Sequence, residues 1–236
     1  MKQENILFGV IGLLAGLIIG FMFANSVNQK GSAAPAAAGM KTNSNLPPGH
    51  PDIGTTGGTG TQGVITPEGQ AAIDKAKQAP DDFDAQLRAA EAVYQAGKFD
   101  EAITFLKVAN KLNPGDREVI VHLGNANFDG DHYEEAEKWY IAALAKKGDD
   151  VNVRTDLGLT FVFRDPPIYD RAIQEFNKSL ELDSNHIQTL QNLTVAYTKK
   201  GDAAKANATL SKLEGIDAKN TSIAKLKEDI QKISAK

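Results

Sequence analysis

Apolar and polar positions are distributed along this chain in three different ways. From Ile6 to Ala24 there is no alternation. These nineteen residues carry no charge and no strongly polar side chain, and twelve of them are Ile, Leu, Val or Phe. From Asn25 to Thr66 apolar side chains are sparse, and 26 of 42 residues are Gly, Ala, Pro, Ser or Thr. From Pro67 to the end, apolar residues return at spacings of three and four, the signature of amphipathic helices. The pattern predicts an all-α protein in parts: a short N-terminal tail (1–5), an apolar helix (6–24), a flexible linker (25–66) and a helical domain (67–236).

At 1.5 Å per residue the first helix would span about 28 Å, close to the roughly 30 Å of a bilayer's hydrocarbon core. A cleaved signal peptide needs small residues just after its apolar run. Here Met22 is too large for such a site, and AAPAAA at residues 33–38 comes too late. A retained transmembrane helix is therefore expected. Gly12, Gly16 and Gly20 recur every four residues on one face. Such spacing lets two helices approach closely in lipid, so homo-oligomers through this face are one reading, although glycine is common in membrane helices generally. Basic residues are nearly balanced across the segment. The short N-terminal tail favours a single-pass protein of the inner (cytoplasmic) membrane with its helical domain in the periplasm.

The linker cannot bury enough apolar surface to offset its ordering entropy, and a free chain of this length spans about 36 Å. One island breaks its uniformity, NLPPGHPDI at Asn45–Ile53. It reads either as a stiffened peptide ligand or as a spacer.

Helix-ending signals in the last part recur at a fixed interval. Pro80, Pro114 and Gly148 are 34 residues apart, and Ser184 follows after 36. The intervals share their contents. Leu123-Gly124 precedes Phe128, Leu157-Gly158 precedes Phe161, and Leu193-Thr194 precedes Tyr197. Small residues follow each turn (Ala102, Ala136, Ala172, Ala206), then large and small ones together, as in Leu106 and Ala109, Tyr140 and Ala143, Phe176 and Ser179. A fixed period of this length with paired small and large positions indicates a solenoid of helical hairpins. The small residues let paired helices approach, and the large ones fill the space between pairs.

These residues resemble the tetratricopeptide repeat family, over about four repeats (83–116, 117–150, 151–186, 187–220) and a closing helix (221–234). There are departures from the family pattern. Ile120 and Arg154 stand where its tryptophan is usual, Trp139 lies elsewhere, and Leu213 replaces a small residue. The third repeat carries two extra residues in FRDPPIYD, where Asp165 is expected to cap the next helix and Pro166 to enter its first turn.

Candidate chemistry changes this picture little. There is no cysteine, and histidines 50, 122, 132 and 186 are scattered. No metal-protease, P-loop or dinucleotide motif occurs, so no catalytic residue, metal site or cofactor is expected. DGDHYEE begins like a calcium loop, but Glu134 occupies the position that needs glycine. Acid pairs such as Asp81-Asp82, Glu134-Glu135 and Asp149-Asp150 stand at expected helix starts, where they complement the helix dipole. The net charge is −4, and residues 67–236 carry 23 basic and 28 acidic side chains, which gives no electrostatic reason to bind nucleic acid.

The resemblance implies a concave face lined by the first helix of each repeat and a protein or peptide partner held there. By repeat, the matching positions include Leu87, Arg88, Glu91 and Tyr94; Val121, His122, Asn125 and Phe128; Thr155, Asp156, Leu159 and Phe163; Asn192 and Val195. The carboxylate clamp of one subgroup is not expected, because Leu87, Glu91, Asn152 and Asp156 occupy four of its places. Leu87, Tyr94, Val121, Phe128, Leu159, Phe163 and Val195 form an expected apolar track, with Asp84, Glu91, Glu118 and Asp156 as an acidic rim. Such a surface suits a segment with apolar anchors and basic flanks. About half of these side chains are expected to be accessible, the rest packing within the solenoid. The architecture is similar to that of anchored repeat proteins of bacterial envelopes, including repeat subunits of cytochrome c maturation. It implies a scaffold or assembly chaperone rather than an enzyme. The alternative is a structural protein that self-associates through its apolar helix and linker.

Overall fold

The structure is a computed structural model, and it describes residues 63–234. All of these belong to the unit Asn45–Lys236. Among the described residues there are ten helices and no strand. They are α1 (Pro67–Gln78), α2 (Phe83–Gln95), α3 (Phe99–Leu112), α4 (Arg117–Asp129), α5 (Tyr133–Lys146), α6 (Val151–Phe163), α7 (Tyr169–Leu182), α8 (Ile187–Lys200), α9 (Ala203–Ile216) and α10 (Ile223–Ser234). Each helix packs on its predecessor, so α2/α3, α4/α5, α6/α7 and α8/α9 are successive antiparallel hairpins. Helix α1 leads into the first hairpin, and α10 closes the last against α8 and α9.

The helix starts follow from side chains that satisfy free backbone N–H groups. Asp82 accepts from Ala85 N at 3.0 Å, Asp116 from Glu118 N at 2.9 Å, and Asp150 from Val153 N at 3.0 Å. These three cap α2, α4 and α6, the first helices of their hairpins. Thr66 caps α1, with Pro67 at its first position. The second helices α3, α5 and α7 have no side-chain cap. In the first, second and fourth hairpins the turn before the second helix holds a left-handed residue, with φ of +74° at Gly97, +61° at Asp131 and +85° at Gly201. Asp131 holds this left-handed backbone without being glycine, which aspartate tolerates better than most residues.

The third hairpin departs from this. The Asp165–Pro166 peptide is cis, and α7 begins only at Tyr169 with Ile168 as its uncapped first boundary. The expected cap at Asp165 and helical entry at Pro166 are therefore corrected. The extra residues form the turn itself, and Ile168 N closes it by donating to Phe161 O at 2.8 Å.

Three neighbouring clusters of buried side chains make the core. The close approach of paired helices is visible at two glycines. A Cβ on Gly124 would lie 2.5 Å from the Tyr140 ring, and one on Gly158 would lie 2.5 Å from the Phe176 ring. Both rings are fully buried. Trp139, absent from the family position, packs between the first and second clusters. Leu213, in place of a small residue, is buried beside Leu226 and Ile230 of α10. The closing helix thus fills the space that a further repeat would occupy.

The expected placement in the inner membrane with a periplasmic domain is corrected. Among the described residues no helix is long and apolar enough to cross a membrane. The longest have 14 residues and each carries charged side chains. At 1.5 Å per residue they reach about 21 Å, short of the roughly 30 Å required. The apolar run 6–24 with Gly12, Gly16 and Gly20, and the island Asn45–Ile53, lie outside the described residues.

Candidate functional site: a groove along the first helices

Helices α2, α4 and α6 present one face of each hairpin along a shared groove. Its first part is a cavity of about 530 Å³ between α2, α3 and α4. Leu87, Ala90, Leu106 and Val119 give it an apolar floor, and Glu91, Asp116 and Glu118 supply acidic walls. No lysine or arginine lines it among the described residues. The second part, about 560 Å³, is lined by residues of α4 and α6 and by Gln188 of α8. Glu118, His122 and Asn125 line both cavities, so the two adjoin along α4.

The sequence-expected positions divide by burial. Arg88, Glu91 and His122 are exposed, and Leu87, Tyr94, Val121, Asn125, Asp156, Phe163 and Val195 are half-buried. Phe128, Thr155, Leu159 and Asn192 are buried, at 2%, 0%, 1% and 1% exposure. Phe128 packs edge-on against Tyr133 and Phe163, with ring centroids 5.3 Å and 5.7 Å away. Thr155 belongs to a seam of hydroxyls, 2.6 Å from Thr189 Oγ1 and 3.0 Å from Ser179 Oγ. Phe128 and Thr155 thus join neighbouring hairpins. The accessible apolar track is therefore shorter than expected and lies at Leu87, Tyr94 and Val121, continued by half-buried Phe163 and Val195.

A polar network lies behind the groove. The Tyr94 hydroxyl donates to the Asp129 carboxylate, and the Tyr140 hydroxyl donates to Asn125 Oδ1 at 2.9 Å. Burial first, then the Asp129 charge, pushes the Tyr94 phenol far up, so it is a donor at every physiological pH. Asp150 is bound by Arg117 at 2.5 Å. Burial raises the Asp150 carboxyl, but the Val153 N–H and Arg117 outweigh it and hold it below the ordinary range. Asp156 has no such compensation. Burial, and then the charges of Asp129 and Asp150, push it up to about 7.

Sequence reasoning missed Gln95, Asp116, Arg117, Val119, Asp129 and Asp150 as groove or network residues. Asp150 read only as part of an acid pair at a helix start, and Asp129 only as the start of the calcium-loop-like run DGDHYEE. A signal existed in the spacing. Tyr94 and Asp129 are 35 residues apart, and Arg117 and Asp150 are 33 apart, which is one repeat in each case. Among the described residues no group of three or more His, Asp or Glu side chains is placed to hold a metal ion.

The tetratricopeptide repeat family model matches residues 68–119 and 94–155. The chain carries tetratricopeptide repeats. No curated protein matches it in sequence. Solved structures of the same repeat fold are numerous. YrrB, described as a tetratricopeptide repeat protein with an unusual peptide-binding site, is 19% identical with a TM-score of 0.60, over 68% of this chain and 84% of its own. A crystal structure of MamA is 24% identical with a TM-score of 0.58, over 64% of this chain and 87% of its own. MamA from Desulfovibrio magneticus RS-1 is 16% identical with a TM-score of 0.55, over 67% of this chain and all of its own. At these identities the likeness concerns the repeat fold.

Proposed function

We propose that this tetratricopeptide-repeat chain is a non-catalytic scaffold that holds a segment of another protein in the groove along α2, α4 and α6. The observation that carries the reading is the continuity of the two cavities through Glu118, His122 and Asn125. An apolar floor with acidic walls, open along three successive repeats, suits an extended or helical segment with apolar anchors and basic flanks. YrrB, of the same fold, is described as having a peptide-binding site. That description supports the class of ligand and no particular partner.

The test places a photo-crosslinking residue at His122, exposed in the groove, and for comparison at Ile141, a 47% exposed side chain of α5 that lines neither cavity. Capture of one defined polypeptide segment from His122 and not from Ile141 is the expected result. Equal capture at both positions removes the groove as the binding face. An assembly role extends the reading, with cytochrome c maturation as its instance and an unfolded apocytochrome as the client. An apocytochrome peptide that does not compete with capture at His122 removes that instance and leaves the groove intact.

A further inference from the structure

Three interior acids of the solenoid are neutralised by arginines, and Asp156 is not among them. Glu137 is met by Arg164 at 2.6 Å and Arg171 at 3.0 Å, Glu175 by Arg154 at 3.0 Å, and Asp150 by Arg117 at 2.5 Å. Asp156 is half-buried in the groove, and no cation reaches it among the described residues. Arg117, among the described residues the one arginine or lysine lining the same cavity, is already engaged by Asp150. The charged and titratable groups coupled to Asp156 are Asp129 of α4, Asp150 at the start of α6, Tyr94 of α2 and Tyr140 of α5, and Arg117, Glu118 and His122 of α4 line the same cavity. Of these only Arg117 is a permanent cation, and Asp150 holds it.

A second, independent observation lies next to it. Asn192 is 1% exposed, and neither its Oδ1 nor its Nδ2 has a hydrogen-bond partner. Buried amides are rarely left so. Asn192 occupies in α8 the repeat position that Asp156 occupies in α6, and the two helices touch directly. Gln188, one turn before Asn192 on the same face of α8, lines the second cavity together with Asp156. An uncompensated carboxylate therefore lines the groove, and an unpartnered amide lies buried one turn behind Gln188 on the neighbouring first helix.

We propose that Asp156 and Asn192 form a receptor for one basic side chain, a lysine or arginine of the segment bound in the groove. This rests on the peptide-holding reading above and names the chemistry of its ligand. The ammonium or guanidinium group pairs with the Asp156 carboxylate, and a further N–H donates to Asn192 Oδ1. The aliphatic stem lies along the neighbouring groove wall, as such stems do on apolar surface. Without a ligand, Asp156 relieves its isolation by holding a proton, in keeping with its carboxyl lying near 7. A bound cation replaces that proton.

The test is a selection of displayed random dodecapeptides on the full-length chain and, in parallel, on Asp156→Asn. That substitution preserves shape and removes only the charge. The expected result is enrichment of a lysine or arginine flanked by apolar residues on the native chain, lost on Asp156→Asn while apolar preferences persist. In the best peptide, replacing lysine by norleucine, or arginine by citrulline, weakens binding about tenfold or more on the native chain, and hardly at all on Asp156→Asn. Affinity for the basic peptide falls between about pH 8 and about pH 6, as Asp156 takes up its proton. Asn192→Ala weakens the basic peptide and spares the neutral one. Selected peptides without a basic residue, or basic peptides bound equally by Asp156→Asn, overturn the receptor and leave the groove reading standing. No enrichment of any sequence overturns both.

Discussion

At the scale of single residues, volume and charge decide. Gly124 and Gly158 are needed because the Tyr140 and Phe176 rings stand where a Cβ would go, at 2.5 Å. Gly158→Ala is expected to cost about 1–3 kcal/mol through overpacking. Urea unfolding measures this, and Phe176→Leu in the same chain should return part of the loss. Asp156 acts in the opposite direction. A carboxyl raised to about 7 in the folded chain, against 3.8 as its ordinary value, binds a proton in the native state that the unfolded state has released. Its stabilising protonated form is complete below about pH 4 and is lost as pH rises through about 7. Asp156→Asn should therefore raise stability at pH 8 by on the order of 1–3 kcal/mol and change it little at pH 4. Thermal melts of both chains across this range check the sign, and an equal gain at both ends would show that the carboxyl titrates normally. These residue roles were partly legible. The small positions stand out because they recur, whereas nothing local distinguishes Asp156 from the other acids of the chain. Its neighbours Asp129 and Tyr94 come from other helices.

At the scale of elements, local chemistry writes the helix starts and neighbours write the rest. Asp82, Asp116 and Asp150 cap the helices they precede, as polar residues before apolar periodicity predict. Asp116→Ala removes bonds to two backbone N–H groups, Glu118 N and Val119 N. It should cost about 1 kcal/mol, read by denaturant unfolding. The third turn was misread because Asp-Pro is an equally good signal for a cap and for a turn. Packing chose the turn. Arg164 from this turn and Arg171 from α7 both reach Glu137 of α5, and both lie over the buried Phe161 ring, at 4.9 Å and 4.1 Å. The closing helix is an element with one apolar face, carrying Leu226 and Ile230. Removing residues 221–236 uncovers Leu190, Leu210 and Leu213 of the last cluster. The shortened chain should aggregate or self-associate, as solenoids without a polar end do. Light scattering against the full chain measures that, and an unchanged monomer would show that α9 can end the solenoid by itself.

At the scale of the molecule, one repeat is joined to the next by bonds that span the period. Tyr94 with Asp129, Asp100 with His132, Arg117 with Asp150, Thr155 with Thr189 and Asp170 with Lys200 all bridge neighbouring hairpins. The Asp100–His132 and Asp170–Lys200 pairs are exposed and individually weak. Tyr94–Asp129 and Arg117–Asp150 are half-buried, and the hydroxyl seam around Thr155 and Thr189 is fully buried. Solenoid stability is distributed over such interfaces, so hydrogen exchange should be slowest in α4 to α8 and fastest in α1 and α10, each of which covers only one side of its neighbours. Uniform protection along the chain would contradict this.

The sequence by itself determined the helical hairpins, their number and their order. A period of about 34 residues with small and large positions in fixed places admits few other arrangements. The family resemblance it carries also pointed to the first helix of each repeat as the face lining the proposed groove. Only the tertiary structure decided which residues of that face stay accessible. Phe128 and Leu159 have the same periodicity as Leu87 and Val121, yet the first pair is buried and the second lines or borders the groove. The difference arises from what the adjoining hairpins bring to each position, such as Tyr133 and Phe163 against Phe128. Those neighbours lie outside any window that a helical pattern can read. The same holds for the missing counter-charge at Asp156. Whether a carboxylate meets an arginine is settled between repeats, after the chain has folded back on itself.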